Sequence, residues 1–236
     1  MKLDLLAIAA HPDDVELTCG GTLIKMAGLG YRTGILDLTR GEMGSRGTPE
    51  IRAREAAAAA KIMGVKVREN LGLPDSRLEV NEEYKLELAR MIRELQPHTV
   101  ILPYWEGRHP DHYTASTLGY EAAFLSGLAK LPVGGSPHRP FKIIYASLYR
   151  DVRPTFVVDI TDQFETRLAA LMAYKSQFDD QEAGSNIFPA HKEIRTRVES
   201  MARYYGMLGG VTYAEPFIQK EVGLVDDVMA LPVKSI

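Results

Sequence analysis

Residues Asp4–Glu16 read DLLAIAAHPDDVE, and the change within them from six apolar residues to imidazole and carboxylate decides the fold. The run Leu5–Ala10 is too short for a core helix and too continuous for a half-exposed strand. It suits a strand buried on both faces, as in a parallel sheet. A helical pattern follows over Val15–Leu29, stopped by Gly30, then a second strand at Thr33–Leu38 and a polar, glycine-rich loop at Thr39–Glu50. The alternation continues. Helices are expected from Pro49 through the alanines Ala56–Ala60, over Glu82–Leu95, Thr114–Leu128, Gln163–Ser176 and His191–Tyr205. Strands are expected at Val65–Glu69, Thr99–Pro103, Ile143–Tyr149 and Thr155–Asp159. Strands alternating with helices predict an α/β sandwich with a mostly parallel central sheet. The C-terminal thirty residues carry no strong period.

Composition narrows the function. The 236 residues are 45% hydrophobic and 25% charged, with a net charge of −3, so no basic excess is present to neutralise a nucleic-acid backbone. A single cysteine excludes an internal disulfide and a multi-cysteine metal cluster. No apolar run approaches the roughly 18 residues of a membrane span, and no leader pattern precedes His11; a cytoplasmic protein is expected.

In open α/β sheets ligands bind beyond the carboxyl ends of the strands. Two loops there share a His-Pro-Asp pattern: His11-Pro12-Asp13-Asp14 after the first strand, and His109-Pro110-Asp111-His112 after Thr99–Pro103. Taken singly, each is an ordinary turn, with proline fixing φ and aspartate capping backbone donors. A dinucleotide site would need a glycine-rich turn in place of HPDD, and two carboxylates repel phosphate. Gly20 and Gly21 arrive too late for that role and read as close-packing positions. A divalent metal fits better. His11, Asp14 and His112 supply two imidazoles and one carboxylate and leave positions open, as in catalytic zinc sites; ferrous iron fits the same set. Asp13 is placed to take a proton from attacking water, His109 to stabilise an oxyanion or assist the leaving amine, and Asp111 to orient His109 or a ligand histidine.

Together AHPDDVE, CGGTL (Cys19–Leu23), TRGEMG (Thr39–Gly44) and RHPDH (Arg108–His112) resemble the PIG-L/LmbE-like de-N-acetylases. The segments RGTPEIRARE (Arg46–Glu55), PTFVVDIT (Pro154–Thr161), LMAYKSQF (Leu171–Phe178) and YAEPF (Tyr213–Phe217) are similar to the bacillithiol-pathway subgroup. The resemblance implies a Rossmann-like three-layer sandwich in a single domain over 1–236, with an extension from about 218. It also implies zinc on His11, Asp14 and His112, Asp13 as general base, and His109 at the tetrahedral intermediate. Arg52 matches a sugar-binding arginine, with Arg54 a helical step away. The implied substrate is an N-acetylated amino sugar, N-acetylglucosaminyl malate being hydrolysed to glucosaminyl malate and acetate. A homo-oligomer is implied, with hexamers among relatives. The alternatives are another N-acetylglucosamine derivative, such as a chito-oligosaccharide, and a non-catalytic nucleotide-binding domain.

Glu42, Arg46 and Arg108 lie on the expected active edge. Any of Arg46, Arg52 and Arg108 can grip a malyl carboxylate bidentately, whereas Glu42 equally suits holding its loop. Tyr104, Trp105 and Tyr149 are candidates to stack on a sugar or to pack. His138 and His191 read as surface residues, Asn186–Phe188 as a lid or subunit contact, and Cys19 as a small buried residue.

Overall fold

The computed structural model describes residues 2–148, 150–179 and 191–233. Seven strands form one sheet: β1 (Leu5–Ala9), β2 (Thr33–Thr39), β3 (Val67–Leu73), β4 (Thr99–Pro103), β5 (Lys142–Ala146), β6 (Phe156–Asp159) and β7 (Ala214–Ile218). Their order is β3-β2-β1-β4-β5-β7-β6, and the first five are parallel. Every residue of β1 and β2 is buried, which is why their sequence lacks an apolar–polar alternation. Alternate residues still face opposite ways. Leu5, Ala7, Ala9, Ile35 and Ile101 pack into one core, while Leu6, Ile8, Leu36, Val100 and Leu102 pack into the other.

Helices cover both faces: α1 (Asp14–Thr18), α2 (Gly20–Gly28), α3 (Pro49–Met63), α4 (Glu82–Leu95), α5 (Pro110–Leu125), α6 (Phe164–Leu171), α7 (Lys175–Phe178) and α8 (His191–Gly209). Among the described residues, no helix is long and apolar enough to cross a membrane.

Beyond shifts of a few residues at element ends, as in β3 and β5, four elements differ from the sequence expectation, three for a tertiary reason and one for a local cap. The first helix is two. Glu215 of β7 accepts from the backbone N–H groups of Gly21 (2.8 Å) and Thr22 (2.7 Å), giving α2 an amino-terminal cap of its own. Gly21 is required there, because a Cβ would lie 2.9 Å from Ile160 Cδ1. The Gln163–Ser176 helix breaks after Leu171, where Glu55 of α3 takes the N–H and hydroxyl of Ser176 at 2.7 and 2.6 Å and starts α7 anew. Strand β7 falls in the stretch without a strong period. Its Glu215 and Pro216 break the apolar pattern, yet it lies antiparallel between β5 and β6. Finally, the helix expected from Thr114 starts at Pro110, so Asp111 and His112 lie in its first turn rather than on a loop, with His109 as N-cap.

Candidate active site

The loops after β1 and β4 meet because those strands are hydrogen-bonded neighbours. The chain runs from β1 outward to β2 on one side and returns to β4 on the other, so the gap between the two loops is the topological switch point of the sheet.

Three side chains converge there. His11 Nδ1 is 3.3 Å from His112 Nε2 and 3.3 Å from Asp14 Oδ2, and His112 Nε2 is 3.2 Å from Asp14 Oδ1. Ligands about 2.0–2.1 Å from a tetrahedral zinc ion lie about 3.3–3.4 Å from one another. One donor atom from each of the three side chains lies within 4.8 Å of the others, close enough to share one ion, and the donor set of two imidazoles and a carboxylate suits a divalent cation.

The far side of His11 fixes its tautomer. Its Nε2 lies 3.0 Å from Asp75 Oδ1 and 3.4 Å from Asp111 Oδ2, so in the neutral ring Nε2 carries the proton and Nδ1 turns its lone pair to the cluster. Asp75 is itself held, accepting the Met43 N–H at 2.8 Å while its own N–H donates to Glu42. Asp111 accepts the Ser76 N–H at 2.7 Å. Burial opposes a charge on His11, but the carboxylates of Asp111, Asp14 and Asp75 outweigh it and raise its pKa well above the usual value. Against the cost of burial, the His11 contacts hold Asp75 down at about 2 and keep Asp111 low, and His112 first, then His11, holds Asp14 low. The pocket therefore selects positive charge at its centre.

Asp13 is the N-cap of α1 with φ of 102°, a left-handed conformation costly for a residue with a Cβ. Arg52 of α3 holds it: the guanidinium donates to Asp13 Oδ2 (3.2 Å), to the Gly41 carbonyl (3.3 Å) and to the Pro12 carbonyl. A Cβ on Gly41, at φ +67°, would strike Arg52 Nη1, which accounts for that glycine in TRGEMG. Burial raises the Asp13 pKa to about 7; the Asp14 charge adds to this and Arg52 opposes it.

His109 stands with its ring centroid 4.8 Å from that of His11 and 4.9 Å from that of His112. Its Nδ1 accepts the Asp111 N–H at 3.2 Å, which leaves Nε2–H as the donor of the neutral ring. Partial burial, then the neighbouring histidines, lower its pKa and favour that neutral form.

Asp13, His109, His112 and Asp75 line a cleft of about 320 Å³, with Arg52 and Arg108 also in its wall. Arg108 is exposed there, whereas the buried Arg46 turns inward and donates to the Gln177 carbonyl at 2.9 Å. Glu42 accepts the Asp75 N–H at 2.8 Å and is not among the residues lining the cleft. The Tyr104 and Trp105 rings lie 4.3 Å apart, tilted by 38°, and Trp105 meets Tyr145 edge-on; neither Tyr104 nor Trp105 lines this cleft. His138 is half-buried and ties its loop to the Pro97 carbonyl at 2.8 Å. Cys19 is buried, and its thiol is correspondingly hard to ionise. Tyr149 and Asn186–Phe188 lie outside the described residues, as does the His191 side chain. Asp75 is the site residue sequence reasoning missed. Its signal was a third Pro-Asp, Pro74-Asp75, just past the carboxyl end of β3.

The PIG-L family profile, described as GlcNAc-PI de-N-acetylase, matches residues 6–123, a span that contains every residue of this cluster. The chain is 32% identical to diacetylchitobiose deacetylase of Thermococcus kodakarensis, over 89% of this chain and 80% of that one. It is 27% identical to a probable N-acetyl-α-D-glucosaminyl L-malate deacetylase 2 of Bacillus anthracis, over 74% and 81%. Among solved structures, a conserved protein from Thermus thermophilus, TT1542, superposes with a TM-score of 0.86 at 44% identity, covering 95% of this chain and 98% of that one.

Proposed function

The chain belongs to the PIG-L family of de-N-acetylases, and from that premise we propose that it hydrolyses the acetamide of an N-acetylglucosamine conjugate at the His11–Asp14–His112 cluster. The observation that carries this reading is the convergence of His11 Nδ1, His112 Nε2 and the Asp14 carboxylate at 3.2–3.3 Å contacts, with Asp13 and His109 beside them in one cleft. His11, Asp14 and His112 would hold a divalent cation, zinc or ferrous iron, which when bound would supply a Lewis acid for the acetamide carbonyl and lower the pKa of water there to about 7.

The remaining steps fall to side chains. Asp13, held by Arg52, takes a proton from the attacking water; its raised pKa matches the task near neutral pH. His109 donates from Nε2–H to the oxyanion that forms as the carbonyl becomes tetrahedral. Asp13 then passes its proton to the sugar nitrogen as the C–N bond breaks, releasing acetate and the free amine. A neutral His109 suits hydrogen-bond donation to the oxyanion better than proton delivery, which is why the proton transfer is given to Asp13.

N-Acetylglucosaminyl malate is the preferred substrate in this reading. Arg108, exposed in the cleft wall, can meet a malyl carboxylate, and a relative bears that name. Diacetylchitobiose is the second reading, supported by the relative at 32% identity. An amine-release assay separates them. The malyl glycoside should turn over with a kcat/KM at least tenfold above N-acetylglucosamine and diacetylchitobiose, and Arg108→Ala should raise KM for the malyl glycoside alone. Preference for diacetylchitobiose would replace the first reading by the second. No amine release from any of the three, with metal supplied, would end both.

A further inference from the structure

The chain leaves β7 at Ile218, and the segment beyond lacks the composition of a solvated tail. Between Val222 and Val233 stand seven large apolar side chains: Val222, Leu224, Val225, Val228, Met229, Leu231 and Val233. All are exposed, Leu224 at 93% and Met229 at 87%. Disordered tails are low in hydrophobicity and high in charge, and soluble monomers rarely expose contiguous apolar surface of this extent.

The start of the segment is fixed. Lys220 Nζ sits 4.5 Å over the Trp105 ring, 4.8 Å over Tyr145 and 5.1 Å over Tyr120, a three-sided aromatic cage. From that anchor the segment passes the rim of a groove of about 780 Å³, walled by Tyr120 and Phe124 of α5 and by Phe141, Lys142 and Ile143 at the amino end of β5. Val222 and Leu224 reach the rim but remain almost fully exposed, so the chain does not fill its own groove. Phe141 in the groove is 76% exposed. Groove and segment also match in charge. Arg139, stacked 4.4 Å over Phe124, and Lys142 flank the groove, with Glu221 also in its wall, and the segment beyond Leu224 carries Asp226 and Asp227.

We propose that residues 225–233 are an arm that docks in the Tyr120–Phe124–Phe141 groove of a second copy of this chain, each copy giving its arm and receiving the other's. Apolar side chains meet apolar walls, and acidic residues meet Arg139 and Lys142. The nine residues beyond Leu224, with the 3₁₀ turn at Val228–Ala230 kept, span roughly 25 Å, enough to cross to a neighbouring molecule. Exchange about a two-fold axis satisfies both grooves at once. The groove lies at the amino end of β5, opposite the carboxyl ends that hold the histidine cluster, so the arms leave the cleft open. Arm exchange is independent of the reaction catalysed.

Sedimentation equilibrium on the full chain, on Met229→Asp in the arm and on Phe141→Asp in the groove tests it, with far-UV circular dichroism confirming that each is folded. The wild type should sediment at a multiple of the 26.2 kDa chain mass, and each variant at a lower mass. Mixing the two variants should restore part of the association, because the intact groove of one accepts the intact arm of the other. A monomeric wild type, a variant that keeps the wild-type mass, or a mixture no heavier than its components would overturn the proposal; the last two outcomes would point to an arm folded onto its own body or to assembly through another face.

Discussion

Replacing Asp75 by asparagine should weaken metal binding about 10- to 100-fold without unfolding the chain. Both carboxylate oxygens of Asp75 accept: Oδ1 from His11 Nε2–H at 3.0 Å and Oδ2 from the Met43 N–H at 2.8 Å. Asparagine has one acceptor oxygen, so one donor loses its partner and His11 loses a negative charge that strengthens its Nδ1 lone pair. Removing an outer partner of a ligating histidine typically costs that factor of about 10–100. The factor corresponds to about 1.4–2.7 kcal/mol and matches a hydrogen bond to a charged group, about 1.5–3 kcal/mol. Asp111, 3.4 Å from the same Nε2, remains as a second acceptor and keeps the loss within that range. The double variant Asp75→Asn/Asp111→Asn should therefore lose more than either single one. Competition titration of zinc against a chromophoric chelator measures this directly. A dissociation constant within about twofold of wild type, on protein with unchanged circular dichroism, would refute the argument that Asp75 orients His11.

Asp13→Asn should retain stoichiometric zinc while kcat falls about 10²- to 10⁴-fold, the usual share of a general base; plasma emission spectrometry and amine release check the two halves. His112→Ala removes a donor from the cluster and should lower zinc occupancy itself, so unchanged occupancy would argue against ligation. In the metal-free chain the raised pKa of Asp13 makes the native state bind more protons than the unfolded one between about pH 4 and 7. Its contribution to stability is whole below about 3.9, the unfolded value, and is lost as pH rises through about 7. Urea titrations in excess chelator should show stability declining over that window, and the decline should shrink in Asp13→Asn. Gly21→Ala should cost about 1–3 kcal/mol by overpacking against Ile160 and Glu215, read as a lower urea midpoint at constant slope.

The parallel half of the molecule was legible because its strands are short apolar blocks between amphipathic helices, and HPDD and HPDH stand out as polar punctuation at strand ends. Their convergence follows from β1 and β4 being neighbours. What escaped the sequence depends on partners distant along the chain. Nothing near Cys19 shows that a carboxylate 196 residues later, Glu215, splits the first helix by capping α2. Pro216 argues against the strand that contains it, and β7 is held instead by strands on both sides. Arg46 and Glu42 suit substrate contact by their place on an active-edge loop. Arg46 turns inward to Gln177 and Glu42 props Asp75, so loop position alone does not tell which way a side chain points. Arg52 and Arg108 do line the cleft, and Arg52 also holds the strained Asp13.

The central claim is that His11 Nδ1, Asp14 and His112 Nε2 grip one divalent cation with coordination positions left open toward the cleft. Anomalous diffraction at the zinc edge from crystals of the zinc-loaded chain tests it most directly. One strong peak is predicted, about 2.0–2.1 Å from a donor atom of each of the three side chains. A peak elsewhere, or a fully loaded chain whose three side chains surround no anomalous scatterer, would contradict it.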